Sequence, residues 1–304
     1  MSEDLRGMAY KIWQKCNDWK TKVEANGQVF DAQQRAEMAS WSQIPQLFEP
    51  YAQLPDPDGP VKTIIDDLKG ALTELSDGQL LPPNKANGEG ETILPIGDLK
   101  HMNVTSLVDG WTGSAAQNFN TNFVVPFPAK VQSQFVAVYV MRSALQAYQS
   151  VWKNARHDVE EIAKKTLKAL EHDCHFGFGG DAMAYTILGS VASVATVFAG
   201  GGVIGGVLLL EVIAGAAQVG AQAAGGDKPK VDISGSDPLY IVPKLRKALD
   251  DLKKYINEEQ DKVYAVLSRD LAQLNAHRDQ LVPRKPELAG ANRGNIHGFM
   301  GNAN

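Results

Sequence analysis

Residues 129–171 decide the fold, and they read AKVQSQFVAVYVMRSALQAYQSVWKNARHDVEEIAKKTLKALE. Apolar side chains recur here at steps of three, four or about seven, the spacing that places them on one face of a helix. Pro126 and Pro128 stand at the entry, where a helix needs no backbone N–H, and glycines from Gly177 onward end the pattern. The members of the stripe are Val131, Phe135, Val138, Leu145, Tyr148, Trp152, Ala155, Val159, Ile162 and Leu170.

A second long helix of the same kind is predicted at 237–283, beginning at Pro238 or Pro243 and ending at Pro283. Two long amphipathic helices joined by an intervening segment pack most simply as an antiparallel coiled pair. Glu259 interrupts the apolar stripe of this helix. The stripe contains Val242, Leu245, Leu249, Leu252, Ile256, Val263, Val266, Leu267, Leu271 and Leu274. Residues 284–304, rich in Gly and Asn, are expected to form a flexible tail.

The rest of the chain supports an all-α, elongated antiparallel bundle. Residues 1–53 are predicted as an N-terminal helical region, and residues 61–175 as a helix–turn–helix bundle that includes the first long helix. Cys16 falls on the apolar stripe of the N-terminal helix and is therefore expected to be a small core residue. Whether it forms a disulfide with Cys174 is left open, because sequence cannot give the required Cα separation.

Between the long helices lies an apolar segment, residues 182–226, whose only charged residue is Glu211. The run Gly200-Gly201-Gly202 divides it into two predicted helices, 182–199 and 203–224, each of about the 17–25 residues that cross a hydrocarbon core. This apolar helical hairpin is the candidate membrane site. Its members are Met183, Ile187, Val191, Val197, Phe198, Gly202, Val203, Ile204, Leu208, Leu209, Leu210, Glu211 and Ile213.

Three interpretations of the hairpin remain open. It can be the buried core of a soluble bundle, since a helix that is apolar all round can be core. It can be a constitutive membrane hairpin, although its many Ala and Gly residues make it less apolar than a typical span. It can also be sheltered in the soluble protein and released on contact with a membrane, which marginal hydrophobicity beside well-soluble helices favours.

Composition excludes several classes of function. The net charge is −5, with 30 Lys and Arg against 35 Asp and Glu. No clustered basic face indicates nucleic-acid binding. The first 20 residues lack the apolar core of a secretory signal peptide. The only His/Cys cluster, residues 172–175, has no second ligand group for zinc, and no catalytic motif is present. We therefore expect no enzyme, no cofactor and no metal.

Residues 107–123 read LVDGWTGSAAQNFNTNF, with turn-forming glycines around Trp111 and small residues where two helices would approach. This run resembles the Trp-Xaa-Gly superfamily of type VII (ESX) secretion substrates, especially the larger Esp-type members. The resemblance implies a helix–turn–helix exported without a cleaved signal. The residues themselves predict that Phe119 and Phe123 lie on the buried face of this element. The motif residues are Trp111, Gly113, Ala115, Ala116 and Phe119.

The export signal of that family, Tyr-Xaa-Xaa-Xaa-Asp/Glu, has one match, Tyr255 with Glu259. About one match is expected by chance, and this one lies far downstream of the motif. The layout of long helix, apolar segment and long helix is also similar to that of α-helical pore-forming toxins of the cytolysin A and Bacillus enterotoxin kind.

The sequence thus predicts a secreted or cell-surface, non-enzymatic type VII-like substrate, exported by a signal-peptide-independent route. Its apolar hairpin is expected to interact with membrane lipid, and self-association into a pore-forming oligomer is a further expectation. The expected partners are the secretion machinery or a helical protein. The alternative is a structural or partner-binding component of a secretion system, whose hairpin is a buried core or an oligomer interface.

Overall fold

The computed structural model describes residues 2–75, 110, 112, 117, 119–171, 184–187, 195–197, 210–212 and 230–282. These residues are mostly helical, which confirms the all-α class. The helices are α1 (Ser2–Ala25), α2 (Ala32–Ser40), α3 (Ile44–Ala52), α4 (Pro60–Leu75), α5 (Phe127–Glu171), α6 (Pro238–Ala276) and α7 (Arg278–Leu281). The strands are β1 (Ala184–Thr186), β2 (Ala195–Val197), β3 (Leu210–Val212) and β4 (Lys230–Asp232).

The two long helices lie where the sequence predicts them. Helix α5 has 45 residues and α6 has 39. Pro243 lies inside α6, in its second turn, and having no N–H it leaves the Leu239 carbonyl without its usual intrahelical donor. The sequence predicts a single helix to residue 283, but α6 ends at Ala276 and the short α7 follows it. The observed α6 is therefore shorter than predicted.

The chain divides into two compact units. The first comprises Met1–Lys62, Ala147–Ala192 and Gly215–Lys262. Its core joins α1, α2 and α3 to the second half of α5 and the first half of α6. Trp41 and Phe48 are fully buried there, and the Tyr51 hydroxyl donates to the Leu249 carbonyl at 2.6 Å. Cys16 is fully buried in the same core, as its position on the stripe predicts.

The second unit comprises Thr63–Gln146, Ser193–Ala214 and Val263–Asn304, and its described core is smaller. Val136 and Val140 from the first half of α5 cluster with Leu274 from the second half of α6. Leu72 of α4 packs separately against Phe135. In the first unit the second half of α5 shares a core with the first half of α6, so the pair is antiparallel, as predicted.

The apolar segment is where the prediction is wrong. Two helices, 182–199 and 203–224, were expected without any strand pairing, but the described residues within those ranges include three strands. β1 pairs antiparallel with β4, and β2 pairs antiparallel with β3. The physical reason is the density of β-branched Thr, Ile and Val, which pack well on a pleated surface and lose side-chain freedom in helices.

Candidate functional site

The beginning of the apolar segment and a strand that follows the segment both belong to the first unit, where they pair with each other. We call this attachment the anchor: residues 184–187, which begin the segment, and residues 230–233, which follow it. Within the anchor the Cα partners are Ala184 with Asp232, Tyr185 with Val231 and Thr186 with Lys230. The antiparallel pairing places residues 184–186 and 230–232 at the spacing of neighbouring strands, about 5 Å.

Apolar burial holds the anchor to the helices. Ile187 and Ile233 are completely buried, and Val231 is 5% exposed. All three belong to the same core as Trp41 and Leu252. Burial of a side chain of this size contributes about 1.5–3 kcal/mol relative to leaving it in water. The beginning of the segment and the strand that follows the segment are therefore integral parts of the core.

A hydrogen bond also joins the anchor to α5. The Tyr185 hydroxyl donates a hydrogen bond of 2.5 Å to Oδ1 of Asp158 on α5. Asp158 is 1% exposed, and a buried charge is stable only where it is hydrogen-bonded or paired. Burial, and then the hydrogen bond to Asp158, raise the pKa of Tyr185 well above its usual range. The phenol consequently remains a protonated donor at physiological pH.

Asp158 also faces a small cavity between α5 and α6. Its polar lining comprises Asn154, Asp158, Tyr255 and Glu259. The cavity measures about 10 Å³, close to the least space that one water molecule requires. It is far smaller than pockets that hold a small-molecule substrate, about 300 Å³ or more.

Glu259 is nearly buried and lies in an ion pair. Its Oε1 is 2.6 Å from Nζ of Lys262, one turn further along α6. Burial, and then the charges of Glu259 and Asp158, raise the pKa of Tyr255 to about 12. The interruption of the α6 stripe at Glu259 therefore corresponds to a polar position inside the core.

Behind the anchor, the chain turns tightly into α6. Asp232 accepts hydrogen bonds from the backbone N–H and the hydroxyl of Ser234, each at 2.9 Å, and Lys244 donates to it at 3.0 Å. The Ser234 contacts, followed by Lys244, lower the pKa of Asp232. At Gly235 an added Cβ would lie 2.8 Å from Cγ1 of Ile241, so this close turn accepts only glycine without rearrangement.

Only some of the other predicted site residues are among those that the structure describes. Of the membrane hairpin, Ile187, Val197, Leu210 and Glu211 are described, and only the side chain of Ile187 can be placed, in the core. The remaining members lie outside the described residues: Met183, Val191, Phe198, Gly202, Val203, Ile204, Leu208, Leu209 and Ile213.

Of the Trp-Xaa-Gly motif, only Phe119 is described; Trp111, Gly113, Ala115 and Ala116 lie outside the described residues. Phe119 is 38% exposed, although a buried face was expected. It stacks on Phe123 with ring centroids 5.2 Å apart. A π-helical turn follows at Asn120–Val124.

The suggested export signal, Tyr255 and Glu259, lies in the packed interface of the long helices, with Glu259 only 7% exposed. In the described part of the chain no group of His, Cys, Asp and Glu is arranged to hold a metal ion. Residues 172–175 and Cys174 lie outside the described residues. Among the helices described, none is both long and apolar enough to cross a bilayer.

Sequence reasoning missed the Tyr185–Asp158 contact. One signal was present: Asp158 lies three residues after Ala155 and four before Ile162, at an apolar position of the α5 stripe. A carboxylate at such a position indicates a buried partner, but the partner comes from a strand that was not predicted.

No match was found among models of protein families, curated proteins or solved structures.

Proposed function

We propose that this chain is a non-enzymatic, membrane-interacting protein, in which an anchored helical unit presents the apolar segment 182–226 to lipid. The observation that carries the proposal is the combination of one charged residue in the whole segment with the anchor, which fixes the beginning of the segment and the strand that follows it. A long apolar stretch must be covered by protein or by lipid. The helical form of the membrane hairpin, which the strands contradict, is not part of the proposal.

Charge supports an apolar mode of membrane binding over an electrostatic one. The chain carries a net charge of −5, and attraction to anionic lipid requires clustered Lys and Arg. Binding strength should then scale with the apolar area that enters the interface. Vesicles of a zwitterionic phosphatidylcholine are accordingly the appropriate target, and anionic lipid should add little.

Flotation with phosphatidylcholine vesicles, together with release of an entrapped dye, tests the proposal. Wild-type protein should float with the vesicles. Leu209→Asp, a new charge in the segment, should reduce binding at least tenfold, because a charge near the bilayer centre costs roughly 2.5–3.5 kcal/mol. Val29→Asp is the matched control: Val29 is 90% exposed, and its variant should bind as wild type does. Failure of the wild-type protein to float would refute the membrane role.

A second candidate is a structural or partner-binding component whose apolar segment is its own core or an oligomer interface. The complete burial of Ile187 favours it, since the beginning of the segment is core. Ala214→Glu and Gly205→Leu separate the two functions. For a core or interface they should abolish folding or assembly, measured by circular dichroism and light scattering, whereas a membrane segment would leave the soluble fold intact.

We further propose export by a type VII-like route, on the basis of the run around Trp111 and its resemblance to the Trp-Xaa-Gly superfamily. Among the described residues of this region, Gly110 has a φ of +95°, which fits a tight turn just before the motif. Trp111→Ala should lower the amount of protein in the culture medium of a host with a type VII system. Equal export from a strain that lacks the system would contradict this route.

A further inference from the structure

We propose that Asn26 is a site of spontaneous deamidation and that the hydrogen bonds at the end of α1 set the rate of this reaction. Asn26 directly follows the last residue of α1, and Gly27 comes next. Both residues are exposed to solvent. Asn is one of the chemically labile residues. Its deamidation begins when the backbone nitrogen of the next residue attacks the side-chain amide, and glycine hinders this attack least because it has no Cβ.

The reaction balances with water as its only co-reactant. The Gly27 nitrogen loses its proton and forms a bond to Cγ of Asn26, while the bond from Cγ to Nδ2 breaks and ammonia leaves with that proton. The intermediate is a cyclic succinimide. Water then opens the ring at one of its two carbonyl carbons. One opening gives aspartate, and the other gives isoaspartate, in which Cβ has become part of the main chain.

Two backbone hydrogen bonds hold this junction in the folded protein, and we call residues 23–28 the α1 cap. The N–H of Gln28 donates to the carbonyl of Val23 at 3.1 Å, and the N–H of Gly27 donates to the carbonyl of Glu24 at 3.0 Å. This pair is the Schellman motif, which places a left-handed residue just after the helix, and the φ of Gly27 is +77°. The attacking nitrogen is therefore itself a hydrogen-bond donor in the closed cap.

The closed cap slows the reaction without preventing it. The Gly27 N–H must leave the Glu24 carbonyl before its nitrogen can lose the proton and turn toward Asn26. Helix ends open locally at much lower cost than the whole domain unfolds. When opening and closing are fast, the rate of such a reaction follows the fraction of open molecules. Since two hydrogen bonds of ordinary strength close the cap, we expect Asn26 to react about ten- to hundredfold more slowly in the folded chain than in the unfolded chain.

The product changes the connection between α1 and the core. Phe30 is 7% exposed, and its ring centroid lies 6.1 Å from that of Trp19 on α1. The turn at Asn26 and Gly27 carries the chain from one ring to the other. Isoaspartate lengthens the main chain of this turn, and either product places a negative charge at the C-terminus of α1, where the helix dipole disfavours it. Both changes oppose closure of the cap, so the deamidated protein should be less stable.

Peptide mass spectrometry measures the reaction in mildly alkaline buffer, with and without concentrated urea. Trypsin cleaves after Lys22 and Arg35 and so releases residues 23–35 as one peptide. Fragment ions place the change from amide to carboxyl at residue 26. Asn87, which also precedes a glycine, is an internal reference in urea, where the two sites should react alike. Product at Asn26 is expected in both samples, about ten- to hundredfold more slowly without urea.

Either of two rate measurements would overturn the proposal. Equal rates at Asn26 with and without urea would show that the α1 cap does not restrain the reaction. The other is absence of product without urea, in an incubation long enough to detect a rate well below the expected range. That result would show that the folded chain is not modified at this site.

Asn26→Gln is the matched control, because it keeps the amide while its longer side chain closes a ring much more slowly. Deamidated wild-type protein, separated by ion exchange, should unfold at a lower urea concentration than fresh protein. Asn26→Gln incubated in the same way should keep its midpoint. Equal midpoints for deamidated and fresh wild type would contradict the argument from the α1 cap. The test uses neither lipid nor a partner protein, so its outcome is independent of the proposed function.

Discussion

The long helices and the apolar segment between them are built from similar apolar residues, with Val, Ala and Ile frequent in both, yet only the helices were predicted in their correct form. In α5 and α6 the apolar residues recur every three or four positions and charged residues lie between them, so the spacing predicts which face of the helix is buried. In residues 182–226 almost every position is apolar or small, so no face is distinguished and no period can be measured.

The comparison teaches that hydrophobicity specifies burial, whereas its periodicity specifies the element. A continuous apolar run is compatible with a buried helix or with a strand buried on both faces. β-Branched residues then decide in favour of the strand. In β1, β2 and β3 the deciding residues include Thr186, Val197 and Val212, and Ile187 follows β1 directly.

The largest effect is expected from shortening one buried side chain in each of the two regions, the long helices and the apolar segment. Leu245 of α6 and Ile187 of the anchor are both completely buried. Because each deletion leaves a cavity in the same core, Leu245→Ala and Ile187→Ala should each lower the free energy of unfolding by about 2–5 kcal/mol. Urea denaturation followed by circular dichroism measures both. A cost near zero for Ile187→Ala would show that the segment begins outside the core and that the anchor does not exist.

A smaller effect is expected from pH at the turn behind the anchor. The pKa of Asp232 is lowered in the folded protein, so its contribution to stability is present above its unfolded pKa, near 3.9. That contribution is lost as the pH falls through the lower, folded value. Between about pH 5 and pH 3 the wild-type midpoint should therefore fall more steeply than that of Asp232→Asn. Added salt should reduce the difference, since the Lys244 contact is partly exposed. Parallel midpoints for the two proteins would contradict this assignment.

Much of the helical fold was predictable, because local spacing carries it. The stripe from Val131 to Leu170 predicted α5 to within two residues at its start, and Cys16 on the stripe of α1 is buried as expected. Prediction at the end of α6 was poorer, since no strong signal separates Ala276 from the short α7 that follows.

The candidate site could be predicted only in part. Glu259 was visible as an interruption of a stripe, and it is buried. The Tyr185–Asp158 contact joins a strand to a helix 27 residues earlier in the chain, and such a pairing depends on tertiary folding that no local pattern encodes. Phe119 was expected to be buried, but its ring stacks on Phe123 and remains 38% exposed, a local contact that the spacing of the motif does not predict.

The pairing of β1 with β4 has a consequence for how this chain can change over evolutionary time. Since Thr186 and Lys230 are cross-strand neighbours and Ile187 still belongs to the core, residues 188–229 are an insertion whose two junctions lie next to each other in space. The entropy of closing such an insertion grows only with the logarithm of its length. Mutation can therefore lengthen, shorten or exchange it as a cassette while the helices and their interior stay as they are, and selection for what it contacts can proceed independently of selection for folding.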